Sequence, residues 1–122
     1  MSEMKLVAII DDDASVRRAT SSLVRSFGFS AVTFESAEAF LGSPQRADVS
    51  CVVCDVHMPG MSGVDLLDEM ALEGRNTPMI FITAYTEERV RRRAGPSACI
   101  LHKPFEAVDL AASLDDAVRP HG

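Results

Sequence analysis

No apolar run in this sequence approaches the ~20 residues needed to cross a bilayer, and the opening Met-Ser-Glu-Met-Lys lacks the basic-then-apolar layout of an export signal. The chain therefore reads as cytosolic. Positive charge is in deficit: 12 basic residues against 18 acidic ones leave a formal net charge of -6. Phosphate contacts require a positive surface, so the balance argues against direct nucleic-acid binding by this segment. Internal repeats, low-complexity tracts and long linkers are absent, and 122 residues are one domain's worth. Residues 1–122 are accordingly expected to form a single unit, ending raggedly in Arg-Pro-His-Gly. No Gly-x-Gly-x-x-Gly or Gly-Lys-Ser/Thr run offers a nucleotide cradle.

Cysteine is scarce and odd in number. Three thiols without an export signal point to reduced side chains, not a disulfide framework. Cys51 and Cys54 form a C-x-x-C, which suggests a redox or zinc motif. The pair sits in Ser-Cys-Val-Val-Cys, however, and on a strand residues three apart project to opposite faces, so core packing is the preferred reading.

What is present is an alternation of apolar runs with helical patterns, the signature of a parallel sheet with crossover helices. The runs are 6–10, 31–34, 49–54, 79–82 and 98–101. All but the second are nearly continuously apolar, as expected of strands covered on both faces. Helices are predicted after each. The first has Val16, Leu23, Val24 and Phe27 on one face behind an Asp12 or Asp13 cap, with Gly28 as its stop. The others are 37–41 behind Ser36, 63–72, about 87–93, and 106–118 with Leu110, Leu114 and Val118 on one face.

In an open parallel sheet, chemistry collects at the C-terminal ends of the strands. Read in order, those ends carry Asp11-Asp12-Asp13, Asp55, Thr83 and Lys103, with only Glu35 after the second. Carboxylates a few ångströms apart repel by about 2 to 4 kcal/mol per pair at an effective dielectric near 20, so the mouth calls for a cation. All the donors are hard oxygens, which favours Mg2+; zinc would want His and Cys. Lys103 adds an ammonium and Thr83 a hydroxyl, and together these groups form a cradle for a phosphoryl group.

Four blocks resemble the signatures of the receiver domain of two-component response regulators: Ile9-Ile-Asp-Asp-Asp13, Cys54-Asp-Val-His-Met-Pro-Gly-Met-Ser-Gly63, Phe81-Ile-Thr-Ala84 and His102-Lys-Pro-Phe105. The stretch from Ser36 to Leu67 is most similar to receivers of the nitrogen-fixation regulator type, which usually precede a helix-turn-helix domain. The resemblance implies a flavodoxin-like α/β fold, a five-stranded parallel sheet in the order 2-1-3-4-5 with helices on both faces. It implies that Asp55 accepts a phosphoryl group from a sensor histidine kinase. Asp12 would then bind Mg2+ directly and Asp11 largely through water, joined by Asp55 and the backbone carbonyl of His57. Thr83 matches the switch hydroxyl, Lys103 the lysine that pairs with the phosphoryl group, and Pro104 a proline commonly preceded by a cis peptide. The implied output is a population shift in an attached output domain or a downstream partner, with a homodimer formed on phosphorylation as a further possibility, and no enzymatic turnover.

The chain departs from the pattern in two places. Ile100 stands three residues before Lys103, where many receivers carry Tyr or Phe, and the segment 86–93 is short by about a turn, with Gly95-Pro96-Ser97 adding a residue before the last strand. Two other functions compete with a phosphorylated switch. One is a degenerate receiver that binds proteins independently of phosphorylation. The other is a magnesium-dependent phosphohydrolase, which would carry a second acid two residues after the nucleophile, where this chain has His57. Asp13 reads as a helix cap in preference to a third ligand, and His57 as either a tuner of water access or a solvent-facing loop residue. Neither His102 nor His121 has metal-binding spacing. Arg89, Arg91, Arg92 and Arg93 read as a solvated face with docking as the minority reading, and Met58, Met61 and Met70 as packing with a partner surface as the minority reading.

Overall fold

The computed structural model describes residues 4–74, 76–84, 87–95 and 98–119, the side chains of Glu87 and Arg89 excepted. Thr86, the Arg89 side chain, Pro96-Ser97 and His121, all singled out in the sequence, lie outside the described residues. Among the described residues five strands alternate with five helices: β1 (Leu6–Ile10), α1 (Ala14–Ser26), β2 (Ser30–Phe34), α2 (Ala37–Leu41), β3 (Cys51–Asp55), α3 (Gly63–Leu72), β4 (Met79–Thr83), α4 (Glu87–Ala94), β5 (Cys99–His102) and α5 (Ala107–Val118). A 3-10 turn, Pro44–Ala47, precedes β3, and no local pattern in the sequence marked it.

All strands are parallel in the order β2-β1-β3-β4-β5, the doubly wound arrangement expected from the sequence. The alternation of side chains along each strand divides the core in two. On one face Ala8, Ile10, Val52, Cys54 and Phe81 pack with Phe40 of α2, Leu66 and Met70 of α3 and Val90 of α4. On the other, Val7, Ile9, Cys51, Val53, Ile80 and Ile82 pack with Val24 of α1 and Leu110 and Leu114 of α5. Cys51 and Cys54 thus point to opposite faces as buried, free thiols. Each fully buried Leu contributes about 1.5 to 3 kcal/mol relative to exposure.

The helix starts follow local chemistry. Asp13 caps α1 by accepting from the Ser15 and Val16 amides, Ser36 caps α2 by accepting from Ala39, and Ser62 forms a reciprocal capping box with Asp65 at α3. Gly28, at φ 96°, follows the end of α1 as the stop residue. One strand reading is corrected. The ladder runs one residue further than the apolar runs at their C-terminal ends, pairing Asp55 with Ile82 and Thr83 with His102, so Asp55 and Thr83 are the last residues of their strands. The last strand is covered on both faces as read, with Ile100 in one core and Cys99 and Leu101 against the other, and it forms the second edge of the sheet, with His102 exposed. No helix among the described residues is long and apolar enough to cross a membrane.

Candidate functional site

Parallel strands deliver their C-terminal ends to one edge of the sheet. Asp11 follows β1, Asp55 and Thr83 end β3 and β4, and Lys103 follows β5. The Lys103 ammonium donates to Asp55 Oδ2 at 3.0 Å, and the His57 backbone N–H donates to Asp55 Oδ1 at 2.9 Å, so both carboxylate oxygens are held. One oxygen each from Asp11, Asp12 and Asp55 lie within 4.8 Å of one another.

The two acids of the β1 tip differ in exposure. Asp11 is 5 % exposed, whereas Asp12 faces solvent. Burial raises the Asp11 pKa above the ordinary carboxylate value; the Asp13 N–H at 2.9 Å and Lys103 oppose this, while the charges of Asp55 and Asp12 reinforce it. For Lys103, burial works against the ammonium, but its hydrogen bond to Asp55 and the charges of Asp55, Asp11 and Asp12 prevail and its pKa is raised. One ammonium among three carboxylates leaves an excess of negative charge. The donor set consists of hard oxygens only, which suits a small divalent cation such as Mg2+.

Thr83 is wholly buried at the tip of β4, and its carbonyl accepts from the Lys103 N–H at 2.7 Å, which fixes where the lysine leaves the sheet. The Lys103–Pro104 peptide is cis, as the resemblance implied. Asp13 is spent on capping α1 and is not a third site oxygen. The His57 side chain is exposed and it is the backbone N–H that reaches Asp55. Met58 and Met70 are buried and Met61 packs against the same cluster, so the methionines serve the core. Ile100 is also core, opposite Phe81 in the sheet.

The arginine face of α4 is corrected in part. Arg92 pairs with Glu88 on the solvent side as expected, but Arg91 donates to the Ala98 carbonyl and Arg93 reaches across to Asp65 and Asp68 of α3. Three supporting residues escaped the sequence reading. Arg17 donates to the Asp11 carbonyl at 2.6 Å, Glu38 of α2 accepts from the Met61 N–H at 3.3 Å, and Gly63 lies so close to β3 that a Cβ there would sit 2.9 Å from the Asp55 carbonyl. Only Gly63 left a signal, the Ser-Gly pair at the head of a helix; the other two contacts depend on how separate elements meet.

This arrangement of strand tips is that of a receiver domain. The chain belongs to the response regulator receiver domain family, whose model matches residues 7–115. It is 34% identical to the transcriptional regulatory protein FixJ of Bradyrhizobium diazoefficiens over 115 residues, covering 93% of this chain and 56% of FixJ. It is 38% identical to nodulation protein W of the same organism over 107 residues, covering 86% of this chain and 47% of that protein. Among solved structures, FixJ-N superimposes with a TM-score of 0.81 at 33% identity, covering 97% of this chain and 95% of FixJ-N. The chemotaxis protein CheY4 of Vibrio cholerae gives 0.84 at 24% identity, covering 94% of this chain and 99% of CheY4, a likeness of fold alone. The chain spans about half the length of the regulators it matches. Receiver domains of two-component systems are phosphorylated on an aspartate and bind Mg2+ at an acidic pocket; in this chain Asp11, Asp12 and Asp55 form an acidic cluster at the strand tips.

Proposed function

We propose that residues 1–122 form one receiver unit that accepts a phosphoryl group on Asp55 from a sensor histidine kinase in the cytoplasm. Asp55 attacks the phosphorus of a phosphohistidine: a P–O bond forms to the carboxylate, the P–N bond breaks, and the imidazole nitrogen leaves with the electron pair. No general base is required, because the nucleophile is an ionised carboxylate. Lys103 pairs with the arriving phosphoryl oxygens, and the Thr83 hydroxyl donates to one of them after the loop rearranges. Mg2+ would be held by Asp11, Asp12, Asp55 and the His57 carbonyl, and when bound it supplies neutralisation of phosphoryl charge. The His57 N–H orients Asp55, and Arg17 holds the chain at Asp11.

The observation that carries this reading is the 3.0 Å approach of the Lys103 ammonium to a carboxylate that shares its surroundings with two further acids. The acyl phosphate adds about two negative charges at this spot, and the output is a shift in conformation passed to an output domain, a protein partner or a second copy, without a released product. Nucleic-acid contact belongs to such a partner or output domain, not to this segment. A second reading, a receiver acting independently of phosphorylation, is favoured by the aliphatic Ile100 and the eight-residue α4.

Acetyl phosphate with Mg2+ and intact-mass measurement distinguishes the two. A gain of one phosphoryl group, about 80 Da, absent in Asp55→Asn and in a chelator, is the expected result. No gain in the unaltered chain, or a gain that persists in Asp55→Asn, overturns the assignment.

A further inference from the structure

Helix α4 is weakly anchored by apolar contact. Among its described side chains Val90 is buried, Arg91 and Ala94 are half-buried, and Glu88, Arg92 and Arg93 are exposed. A helix so short and so charged draws its position from tertiary ties and not from its own propensity. The tie on its α3 side is Arg93, whose guanidinium lies 3.0 Å from Asp65 Oδ1 and 3.3 Å from Asp68 Oδ2. Asp65 and Arg93 also line a cavity of about 370 Å³ together with Val56, His57, Ser62, Val64 and Val90.

Asp65 is not an isolated surface acid. Its other oxygen, Oδ2, accepts from the Ser62 N–H at 3.0 Å, and its own N–H donates to Ser62 Oγ at 3.1 Å. Ser62 ends the loop that begins at Asp55, where the His57 N–H holds the reactive carboxylate. Hydrogen bonds therefore hold the loop at both ends: Asp55 with His57 at its start, Ser62 with Asp65 and Asp65 with Arg93 at its end.

We propose that Arg93 is a latch that ties the position of α4 to the loop that follows Asp55 and carries His57, and holds both in the arrangement of this structure. The inference rests on Asp55 as phosphoacceptor for its signalling consequence. A change in what Asp55 bonds shifts the loop, the shift reaches Asp65, and α4 is released over the cavity; coupling is reciprocal, so releasing Arg93 also loosens the loop. With Ile100 buried in the core, this polar route does not depend on an aromatic side chain in β5.

The test is amide hydrogen exchange on the unphosphorylated chain, which reads the latch whether or not Asp55 accepts phosphate. Arg93→Gln is expected to speed exchange about two- to fivefold in both 87–94 and 56–64, with Arg93→Lys intermediate. Arg92→Gln, which removes a neighbouring pair within α4 alone, leaves 56–64 unchanged. Acceleration confined to α4 overturns the proposal, because Arg93 would then merely staple one helix; so does equal behaviour of Arg93→Gln and Arg92→Gln. Slower loop exchange in Arg93→Lys than in Arg93→Gln supports the ion pair over the loss of side-chain volume, and equal exchange in the two overturns it.

Discussion

The Lys103 ammonium and the Asp55 carboxylate, 48 residues apart in the chain, meet at 3.0 Å at the C-terminal edge of the sheet. Neither position is arbitrary: each follows or ends a strand of the same parallel sheet, and the Lys103 N–H is fixed by the Thr83 carbonyl. The pair is one-third exposed on the lysine side and nearly buried on the aspartate side. Removing the ammonium leaves three carboxylates without their counter-charge. Lys103→Met is expected to lower metal-free stability by about 1 to 3 kcal/mol, between the values for surface and buried pairs, and to slow phosphoryl uptake at least ~10-fold. Because the lysine pKa is raised, its stabilising contribution is constant through neutral pH and is lost only as the pH rises through that raised value. Urea denaturation in chelator at pH 7 measures the first effect; an unchanged midpoint refutes the neutralising role.

Crowding of Asp11, Asp12 and Asp55 predicts a trade of stability against function. Asp11→Asn should stabilise the metal-free chain by about 1 kcal/mol, a few degrees in Tm, by relieving repulsion within the 4.8 Å cluster. Adding Mg2+ should reverse the ranking, since a ligand at about 100 times its Kd stabilises by about 2.7 kcal/mol and the variant binds it less well. Thermal melts with and without Mg2+ decide this, and a variant that is less stable in chelator contradicts it.

At Gly63 the neighbour is backbone, which cannot swing aside. A Cβ there would lie 2.9 Å from the Asp55 carbonyl and 3.3 Å from both Cys54 Sγ and the Val56 Cα. Gly63→Ala is therefore expected to cost about 1 to 3 kcal/mol and to displace Asp55, lowering the rate of phosphoryl uptake as well. Retention of full rate with full stability would show that α3 can back away from β3 freely.

Asp65 predicts a specific acid limb. Hydrogen bonds from Ser62 and then from Arg93 hold its pKa below the ordinary 3.8. A depressed carboxylate stabilises the fold above its unfolded pKa and loses that contribution as pH falls through the folded value. Asp65→Asn should thus lose about 0.5 to 1 kcal/mol at pH 7, the scale of a cap plus a surface pair, and converge on the unaltered chain in strong acid. Stability curves between pH 7 and 2 report it; parallel curves would mean that Asp65 is not linked to folding.

The thiols should separate by reactivity. Burial pushes Cys51 up to about 12 and Cys54 upward as well, whereas Cys99 is half-buried. Alkylation at pH 8 should modify Cys99 first and reach the other two only on unfolding. Mass mapping after brief labelling checks the order, and equal early labelling of Cys51 would contradict its place in the core.

How far the sequence could be read depended on whether the signal was local. The Ser36 cap, the Gly63–Leu72 helix and the opposite faces of Cys51 and Cys54 are set by neighbours within a few residues, and each was legible. The edge place of β5 was hidden from local signals and came only through the resemblance, because Cys99–Leu101 is as apolar as an inner strand and nothing local says that no strand lies beyond it. The partners of Arg93 were equally hidden: Asp65 and Asp68 are 28 and 25 residues away, and a run of arginines looks the same whether it meets water or carboxylate.

By itself, the amino-acid order determined a parallel α/β domain with acids, a hydroxyl and an ammonium at its strand tips, because hydrophobic periodicity and capping are short-range properties of the chain. Only the tertiary structure decided which oxygen the lysine meets, which acid is buried, and how α4 is fastened to α3. Those distances arise where elements remote in sequence pack together, and a change of a few ångströms in that packing would alter each of them without altering a single residue.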